Sequence, residues 1–190
     1  MMNATKTRLS HQERAQEIAK IGIWELDILA SELTWTRQTY RNFGVPEGTP
    51  VSYETFLDRI HPDDRERVSK AWEAALQGES YDVVHRIERE DGTRWIREKA
   101  ELEFDADGQC IFAVGFDQDV TQQIEAERSL KKAEADMRAI LENAADAIFV
   151  FDQEGRYQYV NDQAVALSGF SEEELLKMNI SDLSVREDRE

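Results

Sequence analysis

A chain of 190 residues with 33% charged and 41% hydrophobic residues has a globular composition, long enough for one ordinary domain and part of another. Its formal net charge of −17 disfavours a nucleic-acid or anionic-membrane surface, and no apolar run approaches the roughly 20 residues that span a bilayer. The single cysteine, Cys110, excludes an intramolecular disulfide and a cysteine metal cluster. We therefore expect a cytoplasmic protein without direct membrane contact.

Residues 1–21 are predicted to form a polar tail followed by an amphipathic helix. Ser10 and Glu13 fit a capping box, and Gly22 fits the end of the helix. The apolar stripe of this helix is thin and consists of Leu9, Ala15, Ile18 and Ile21. Because so narrow a stripe needs a partner surface, we expect the helix to cover the outer face of the sheet described below.

Two strands and several helices follow in the pattern of hydrophobic residues. They are Ile23–Leu29, Leu33–Thr36, Tyr40–Phe43, Ser52–Ile60 and a longer helix, Asp64–Gln77. Asp63 is predicted to cap the longer helix, and Gly78 to stop it. Capping explains His61-Pro62-Asp63-Asp64 better than a metal site, because no second His or Cys lies nearby in the sequence. Val68, Trp72, Ala75 and Leu76 form its predicted buried face.

Two Asp-Gly pairs divide the next stretch into three antiparallel strands, Tyr81–Arg89, Arg94–Phe104 and Gln109–Asp119. If Asp91-Gly92 is the loop of the first hairpin, the register follows from it. The predicted cross-strand pairs are Glu90 with Thr93, Ile87 with Ile96, His85 with Glu98, Val83 with Ala100, and Tyr81 with Leu102. This register places the apolar residues on one face, as the period of two requires.

The third strand continues both faces of this sheet. Ile111, Ala113 and Gly115 fall on the inner face, whereas Trp95, Phe112, Val114 and Phe116 fall on the outer face. A sheet that is apolar on both sides needs a cover on each side. The predicted fold is therefore an α+β domain, a five-stranded antiparallel sheet with helices gathered over one face.

Residues 121–143 contain neither Gly nor Pro and are predicted to form a linker helix. Apolar residues recur in steps of three and four, the spacing of a coiled-coil seam; they include Ile124, Leu130, Met137 and Ile140. Two interpretations stay open. The helix packs on its own domain, or it protrudes and pairs with a second copy.

The last part of the chain repeats the first. Ile148–Asp152 resembles Ile23–Asp27 at an offset of 125 residues, and the same offset takes Gly44 to Gly169 and Asp63 to Asp188. Ser171 and Glu174 form a predicted capping box. Residues 144–190 therefore form the first half of a second module, and the sequence ends before any counterpart of the last three strands.

Residues 22–120 resemble a PAS domain, the sensory module of bacterial signalling proteins. The resemblance lies in four segments, Gly22–Asp27, Ile60–Arg65, His85–Ile96 and Gly115–Thr121. Tyr159–Asn161 and Gly169–Leu175 resemble the front of a second PAS domain. The subfamily occurs in tandem in sensor histidine kinases and diguanylate cyclases. The resemblance implies a PAS-like five-stranded sheet that encloses a small cavity, and a long linker helix. It also implies a homodimer, or pairing with another PAS-containing chain, through flanking helices, and a signal exit at Asp119, Val120 and Thr121.

Eight residues are candidates to line the cavity: Trp24, Trp35, Phe56, His85, Ile87, Glu98, Ala113 and Gly115. His85 is either a polar anchor inside the cavity or one partner of a pair with Glu98 at the cavity rim, and the second interpretation is favoured. The small residues Ala113 and Gly115 either leave room for a ligand or allow large side chains to pack inward. Packing is the favoured role.

Two cofactors are disfavoured by the sequence. Cys110 does not lie in the Asn-Cys-Arg motif of flavin-adduct light sensors, so a covalent flavin adduct is disfavoured. Haem-binding members of the family use a helical His in the middle of the domain, and helix Asp64–Gln77 has none, so haem is disfavoured. A non-covalent flavin or a small metabolite stays open.

The sequence contains no phosphate-binding Gly-rich loop, nucleophile elbow or metal-ligand cluster, and the linker contains no phosphoacceptor His. We therefore expect no catalytic residues and no metal site. The favoured function is a sensory and dimerisation PAS module of a bacterial two-component or related signal-transduction protein. Two alternatives stay open: a fragment of a sensor histidine kinase or diguanylate cyclase whose catalytic parts lie elsewhere in the parent protein, and a stand-alone PAS interaction protein.

Overall fold

The computed structural model describes residues 13–184. The chain divides into two compact units, with the boundary between Glu125 and Ala126. The predicted domain limits at residues 22, 121 and 144 stay predictions.

The first unit is built around one antiparallel sheet. Residues 13–19 are helical (α1), and the following elements are β1 (Ile21–Asp27), β2 (Glu32–Trp35), α2 (Arg37–Phe43), α3 (Tyr53–Arg59), α4 (Pro62–Ala75), β3 (Tyr81–Arg89), β4 (Gly92–Phe104) and β5 (Cys110–Asp119). The strand order is β2-β1-β5-β4-β3, and every neighbouring pair is antiparallel. The predicted α+β architecture and its five-stranded sheet are confirmed.

The hairpin between β3 and β4 has a different register from the predicted one. Arg89 pairs with Gly92, so Tyr81 lies opposite Ala100, Val83 opposite Glu98 and His85 opposite Ile96. Each predicted partner is wrong by two residues. The cause is the turn: only Gly92 has a positive φ, 112°, and Glu90-Asp91 form the loop in front of it. A type I′ turn on Asp91-Gly92 would need positive φ at both of these residues. A shift of two preserves the faces, so the predicted inner and outer sets remain correct.

The inner face of the sheet and the helices enclose the core in two clusters of buried residues. One consists of Phe43, Val45, Phe56, Ile60, Val68, Ile87 and Ile96. The other consists of Trp24, Trp72, Ala75, Tyr81, Ala100 and Ala113. As predicted, α4 buries Val68, Trp72 and Ala75, with Leu76 packed against the second cluster.

The first turn of α4 differs from the prediction. His61, not Asp63, is the N-cap residue, and its Nδ1 accepts a hydrogen bond from the Asp63 backbone N–H at 3.3 Å. Pro62 occupies the first helical position, where its missing N–H costs nothing and its fixed φ suits the helix. The interpretation of this segment as a helix start rather than a metal site is therefore supported, with a different capping residue.

Helix α1 does not end at Gly22 and does not bury its predicted stripe. Lys20 ends it with a φ of 53°, and Gly22 lies inside β1. Ile18 is 86% exposed and Ala15 is exposed, so the expectation that this stripe covers the outer face of the sheet is wrong for these residues. Leu9 and Ser10 lie outside the described residues. The contacts of α1 are polar, such as the 2.6 Å ion pair between Glu17 and Arg41 of α2.

Helix α5 (Thr121–Glu142) follows β5 after a single residue and continues across the boundary of the units. In the part of the chain that the structure describes, no helix is long and apolar enough to cross a bilayer.

The second unit repeats the start of the first. Its elements are β6 (Phe149–Phe151), β7 (Tyr157–Val160), α6 (Asp162–Ser168), α7 (Glu172–Leu175) and α8 (Ile180–Ser184). The offset of 125 residues takes β2 onto β7 and α2 onto α6. One hydrogen bond is also repeated: the Ile23 N–H donates to Thr36 Oγ1, and the Ile148 N–H donates to Asn161 Oδ1, both at 2.9 Å.

The helix ends of the two copies also correspond. Gly44 and Gly169 close α2 and α6 with φ angles of 65° and 74°, the left-handed conformation that favours glycine. Ser171 and Glu174 form the predicted capping box at α7. Asp188, the predicted counterpart of Asp63, lies outside the described residues. These repeated details support the duplication inferred from the sequence.

Candidate functional site

A small cavity lies between the inner face of the sheet and the helices. Its volume is about 30 Å³, and its lining residues are Trp24, Leu26, Leu33, Trp35, Tyr53, Phe56, Trp72, Tyr81 and Glu98. One water needs roughly 10–15 Å³ on this scale, whereas pockets for drug-sized ligands measure about 300–1,000 Å³. The cavity therefore holds only two or three water-sized groups in this conformation, because aromatic side chains fill the interior.

Trp72 of α4 is the centre of these aromatic contacts. Its ring centroid lies 5.3 Å from that of Tyr81, 6.1 Å from that of Trp24 and 6.2 Å from that of Tyr53. Offset and edge-on ring pairs at such distances are favourable beyond the area that they bury. The wall of the cavity is therefore a connected set of rings contributed by α3, α4 and the sheet.

Four of the eight predicted pocket residues line this cavity: Trp24, Trp35, Phe56 and Glu98. The other four are buried but do not line it. Ile87 belongs to the first core cluster and Ala113 to the second. Gly115 lies under Trp24, since a Cβ there would come within 2.4 Å of the indole. This geometry supports the packing role predicted for the small residues.

His85 and Glu98 meet diagonally across β3 and β4. His85 Nε2 lies 3.5 Å from Glu98 Oε2, but the contact lacks hydrogen-bond geometry, and the Tyr81 hydroxyl donates to that oxygen at 3.1 Å. His85 is 0% and Glu98 2% exposed, so the pair is buried and does not lie at a rim as expected. Burial, together with the nearby charge of Glu98, raises the pKa of Tyr81.

The sequence interpretation missed Asp117, a fully buried carboxyl group on the inner face of β5. Asn42 of α2 donates to Asp117 Oδ1 at 2.5 Å and to the Lys20 carbonyl at 3.1 Å, which ties α2 to the sheet. Burial raises the pKa of Asp117 to about 7; the hydrogen bond from Asn42 opposes the rise, and the charge of Glu98 adds to it. The alternation that placed Ala113 and Gly115 on the inner face also predicts Asp117 there.

Gly22 lets β1 approach this carboxyl group. A Cβ at Gly22 would lie 2.3 Å from Asp117 Oδ2, 2.3 Å from Thr39 Oγ1 and 2.7 Å from Thr39 Cα. Only a residue without a side chain fits this position. Gly22, Asp117 and Glu98 lie side by side in the register of β1, β5 and β4, so the two buried carboxyl groups are cross-strand neighbours.

The predicted signal exit is a hydrogen-bonded junction between the sheet and α5. Asp119 Oδ1 accepts from the Thr121 N–H at 2.9 Å. The Val120 N–H donates to the Trp95 carbonyl at 2.9 Å, and the Trp95 N–H donates to Thr121 Oγ1 at 2.9 Å. No loop separates β5 from α5. The C=O and the N–H of Trp95 in β4 therefore both fix the start of the helix.

The predicted dimer seam lies along α5. Leu130, Met137 and Ile140 are 60%, 59% and 68% exposed, and Ile124 is half-buried near the junction. Exposed apolar residues at this spacing are typical of a helix that pairs with another helix.

A partly buried ion pair, which the sequence interpretation also missed, joins α4 to β3. Both side-chain oxygens of Asp64 accept from Arg86, at 3.1 and 2.7 Å, and Oδ2 also accepts from the Arg86 backbone N–H at 2.8 Å. These bonds lower the pKa of Asp64 to about 2. Among residues 13–184, no group of three or more His, Cys, Asp or Glu side chains is arranged to hold a metal ion.

Comparison with known proteins agrees with this geometry. Two descriptions of the PAS fold match this chain, at residues 32–117 and 135–190. The sensor protein FixL of Bradyrhizobium diazoefficiens is 33% identical over 171 residues, which cover 89% of this chain and 34% of FixL. The probable diguanylate cyclase DgcE of Escherichia coli is 24% identical over 163 residues, which cover 85% of this chain and 15% of DgcE.

A solved structure shows the same fold. The crystal structure of a sensory box histidine kinase/response regulator from Burkholderia thailandensis has a TM-score of 0.53 and 25% identity, and the match covers 67% of this chain and 97% of that chain. The chain spans about a third of FixL and a smaller part of DgcE. With its two PAS regions and its sensor-protein relatives, this chain belongs to the PAS family of sensory modules.

Proposed function

We propose that the first PAS region senses a change in its interior cavity and transmits it to α5 through Asp119, Val120 and Thr121. One observation carries the proposal: the C=O and the N–H of Trp95 are hydrogen-bonded to Val120 and Thr121, so a movement of β4 at Trp95 moves the first turn of the helix. Glu98 lines the cavity on the same strand, three residues from Trp95.

The interior and the exit also share β5. Asp117 lies opposite Glu98, and Asp119 lies opposite Ile96. The end of β5 is therefore paired with β4, the strand from which Glu98 lines the cavity. A change in packing around Glu98 therefore reaches α5 through two residues of extended backbone and without a flexible connection.

The partner in this proposal is a second copy of the chain, paired along α5. The exposed apolar residues of α5 support it, because a helix with such a stripe gains stability by burying it. Pairing with another PAS-containing chain would use the same stripe. The cytoplasmic location is part of this proposal.

The proposal assigns no catalysis to residues 1–190. The relatives are named as a sensor protein and a probable cyclase, and this chain aligns with a minor part of each. A kinase or cyclase activity would therefore belong to a longer protein that carries these modules. The alternative, a stand-alone interaction protein, would use α5 in the same way but without an attached effector.

Nuclear magnetic resonance tests the proposed path. Glu98→Gln is expected to shift the backbone amide signals of residues 120–124, because the cavity and the exit share β4. Glu101→Gln, on an exposed position of the same strand, is the matched control and should leave these signals in place. Adding Thr121→Val, which removes the acceptor for the Trp95 N–H, should at least halve the response to Glu98→Gln. An unchanged exit in Glu98→Gln, or an undiminished response in the double variant, would refute the path.

A further inference from the structure

The cavity has an unusual combination of lining groups. Six of its nine lining residues are aromatic, Trp24, Trp35, Tyr53, Phe56, Trp72 and Tyr81, and one is a carboxylate, Glu98. The face of an aromatic ring carries negative potential and attracts a cation within about 6 Å of its centroid. Rings and carboxylate therefore favour the same kind of occupant, and no lining residue is itself cationic.

The Glu98 carboxylate is poorly compensated for a buried charge. Among the described residues, the Tyr81 hydroxyl donates the one hydrogen bond that this carboxylate accepts. His85 Nε2 lies 3.5 Å from it without hydrogen-bond geometry and is a charged partner only when the imidazole is protonated, and the neighbouring side chain in the register is another acid, Asp117. A buried carboxylate with one neutral donor is costly unless a cation accompanies it.

A second polar group in the cavity lining lacks a partner. Trp24 is 7% exposed, and its indole N–H finds no acceptor among the described residues. A ligand that satisfies both groups needs a positive donor for Glu98 and an acceptor for Trp24. A short hydroxyalkylammonium ion has both in about four heavy atoms, so the cavity of about 30 Å³ must widen somewhat to admit it.

We propose that the cavity is a binding site for a small organic ammonium ion, held by Glu98 and the aromatic walls. This inference rests on the proposed sensory function and names the ligand class of the same site. For ligands of about four heavy atoms, the affinity is expected to be between roughly tens of micromolar and millimolar.

The four tryptophans provide the readout. Trp24, Trp35 and Trp72 line or border the cavity, whereas Trp95 lies on the opposite face of the sheet and serves as an internal control. The full chain, labelled with ¹⁵N, is titrated with ethanolammonium chloride, with ethylene glycol as the neutral isostere and with sodium chloride at matched ionic strength. The indole N–H signals of the three cavity tryptophans are followed.

We expect saturable shifts of the three cavity indoles with ethanolammonium, at least about tenfold weaker binding of ethylene glycol, and no shift of Trp95. Glu98→Gln should reduce the preference for the cation to less than about twofold, while Glu101→Gln should retain it. Ethylammonium, which lacks the hydroxyl group, should bind more weakly than ethanolammonium because the Trp24 N–H is again left without an acceptor.

Three outcomes would overturn the inference: equal binding of ethylene glycol, no saturable shift with either compound, or a preference that survives Glu98→Gln. The comparison of the two compounds needs only the wild-type protein, so a folding defect in the variant cannot hide the result. If ethylene glycol binds equally while Glu98→Gln still moves the exit, the ammonium inference fails and the sensory proposal stands. If the exit does not respond, the sensory proposal fails separately.

Discussion

At the scale of single residues, Asp117 is the acid whose environment differs most from water. It is fully buried, its pKa is raised to about 7, and its bond to Asn42 joins β5 to α2. In the unfolded chain its pKa returns to the ordinary value near 4, so between these two values the folded state binds a proton that the unfolded state does not. This stabilisation is fully present below about pH 4 and is lost as the pH rises through about 7.

Asp117→Asn removes this pH dependence. The uncharged amide retains an acceptor for Asn42. The free energy of unfolding of the variant, minus that of the wild type, is therefore expected to increase by on the order of a few kcal/mol between pH 5 and pH 8. Urea unfolding at the two pH values measures this, with Asp107→Asn at an exposed turn as the control for losing a carboxylate. A variant whose difference from the wild type is the same at both pH values would show that Asp117 is charged in the folded protein.

Gly22→Ala tests the close approach at the same place. Its Cβ would overlap the Thr39 backbone as well as two side-chain oxygens, so α2 and β1 must move apart. We expect a loss of about 1–3 kcal/mol in the free energy of unfolding, the usual cost of overpacking. Urea unfolding at pH 6 measures it, and a loss below about 0.5 kcal/mol would mean that the two elements separate easily.

At the scale of elements, the bonds between Asp64 and Arg86 attach the start of α4 to β3. The pKa of Asp64 is lowered to about 2 by these bonds, so the stabilisation is present above about pH 4 and is lost as the pH falls through about 2. Asp64→Asn is expected to cost about 2 kcal/mol at pH 7 and almost nothing near pH 2. Chemical unfolding across this range measures the effect, and a cost that persists at pH 2 would assign it to packing rather than to charge.

Sequence patterns predicted the elements better than the connections between them. Alternation placed Ile87, Ile96 and Ala113 on the inner face because burial repeats every second residue. Alternation could not choose between two hairpin registers that differ by two residues, because both place the same side chains on each face. The turn with its positive φ at Gly92 decided the register. The stripe of α1 misled for a different reason: periodicity shows which face is apolar, not whether another surface covers it.

The candidate site was predictable only in part. The aromatic residues Trp24, Trp35 and Phe56 were recognisable because large apolar side chains on the inner face must pack inward. The contribution of Tyr53 from α3 depends on how helices cross the sheet, which local patterns do not specify. Asp117 was within reach of the strand alternation, but a charged residue at a core position contradicts the rule that acids face water.

At the scale of the whole molecule, the offset of 125 residues reproduces two elements, a left-handed glycine and one side-chain hydrogen bond. Few residues are identical between the two copies. The copies share the conformation of the backbone rather than the identity of the side chains. Gly44 and Gly169 show this most clearly, because each ends a helix of equal length in a conformation that other residues rarely adopt.

Pairing of two chains along α5 is the prediction for the assembly. Leu130→Glu places a charge in the apolar stripe and is expected to shift a dimer toward monomer by at least about tenfold in the dissociation constant. Ala135→Glu, an exposed position on the opposite side of the helix, adds the same charge outside the stripe and is the matched control. Sedimentation equilibrium of both variants measures the effect. A wild-type chain that is monomeric at high concentration, or equal effects of the two variants, would contradict pairing through this stripe.

The central claim is that a change beside the cavity alters the geometry of α5 in the assembly. Its most direct test is the distance between spin labels on the two α5 helices of a dimer, attached at Ser129→Cys in a Cys110→Ser background and measured by pulsed electron paramagnetic resonance. Glu98→Gln should change this distance distribution, and Thr121→Val should at least halve the change while the dimer persists. Identical distributions with and without Glu98→Gln, in a protein that is folded and dimeric, would contradict the account.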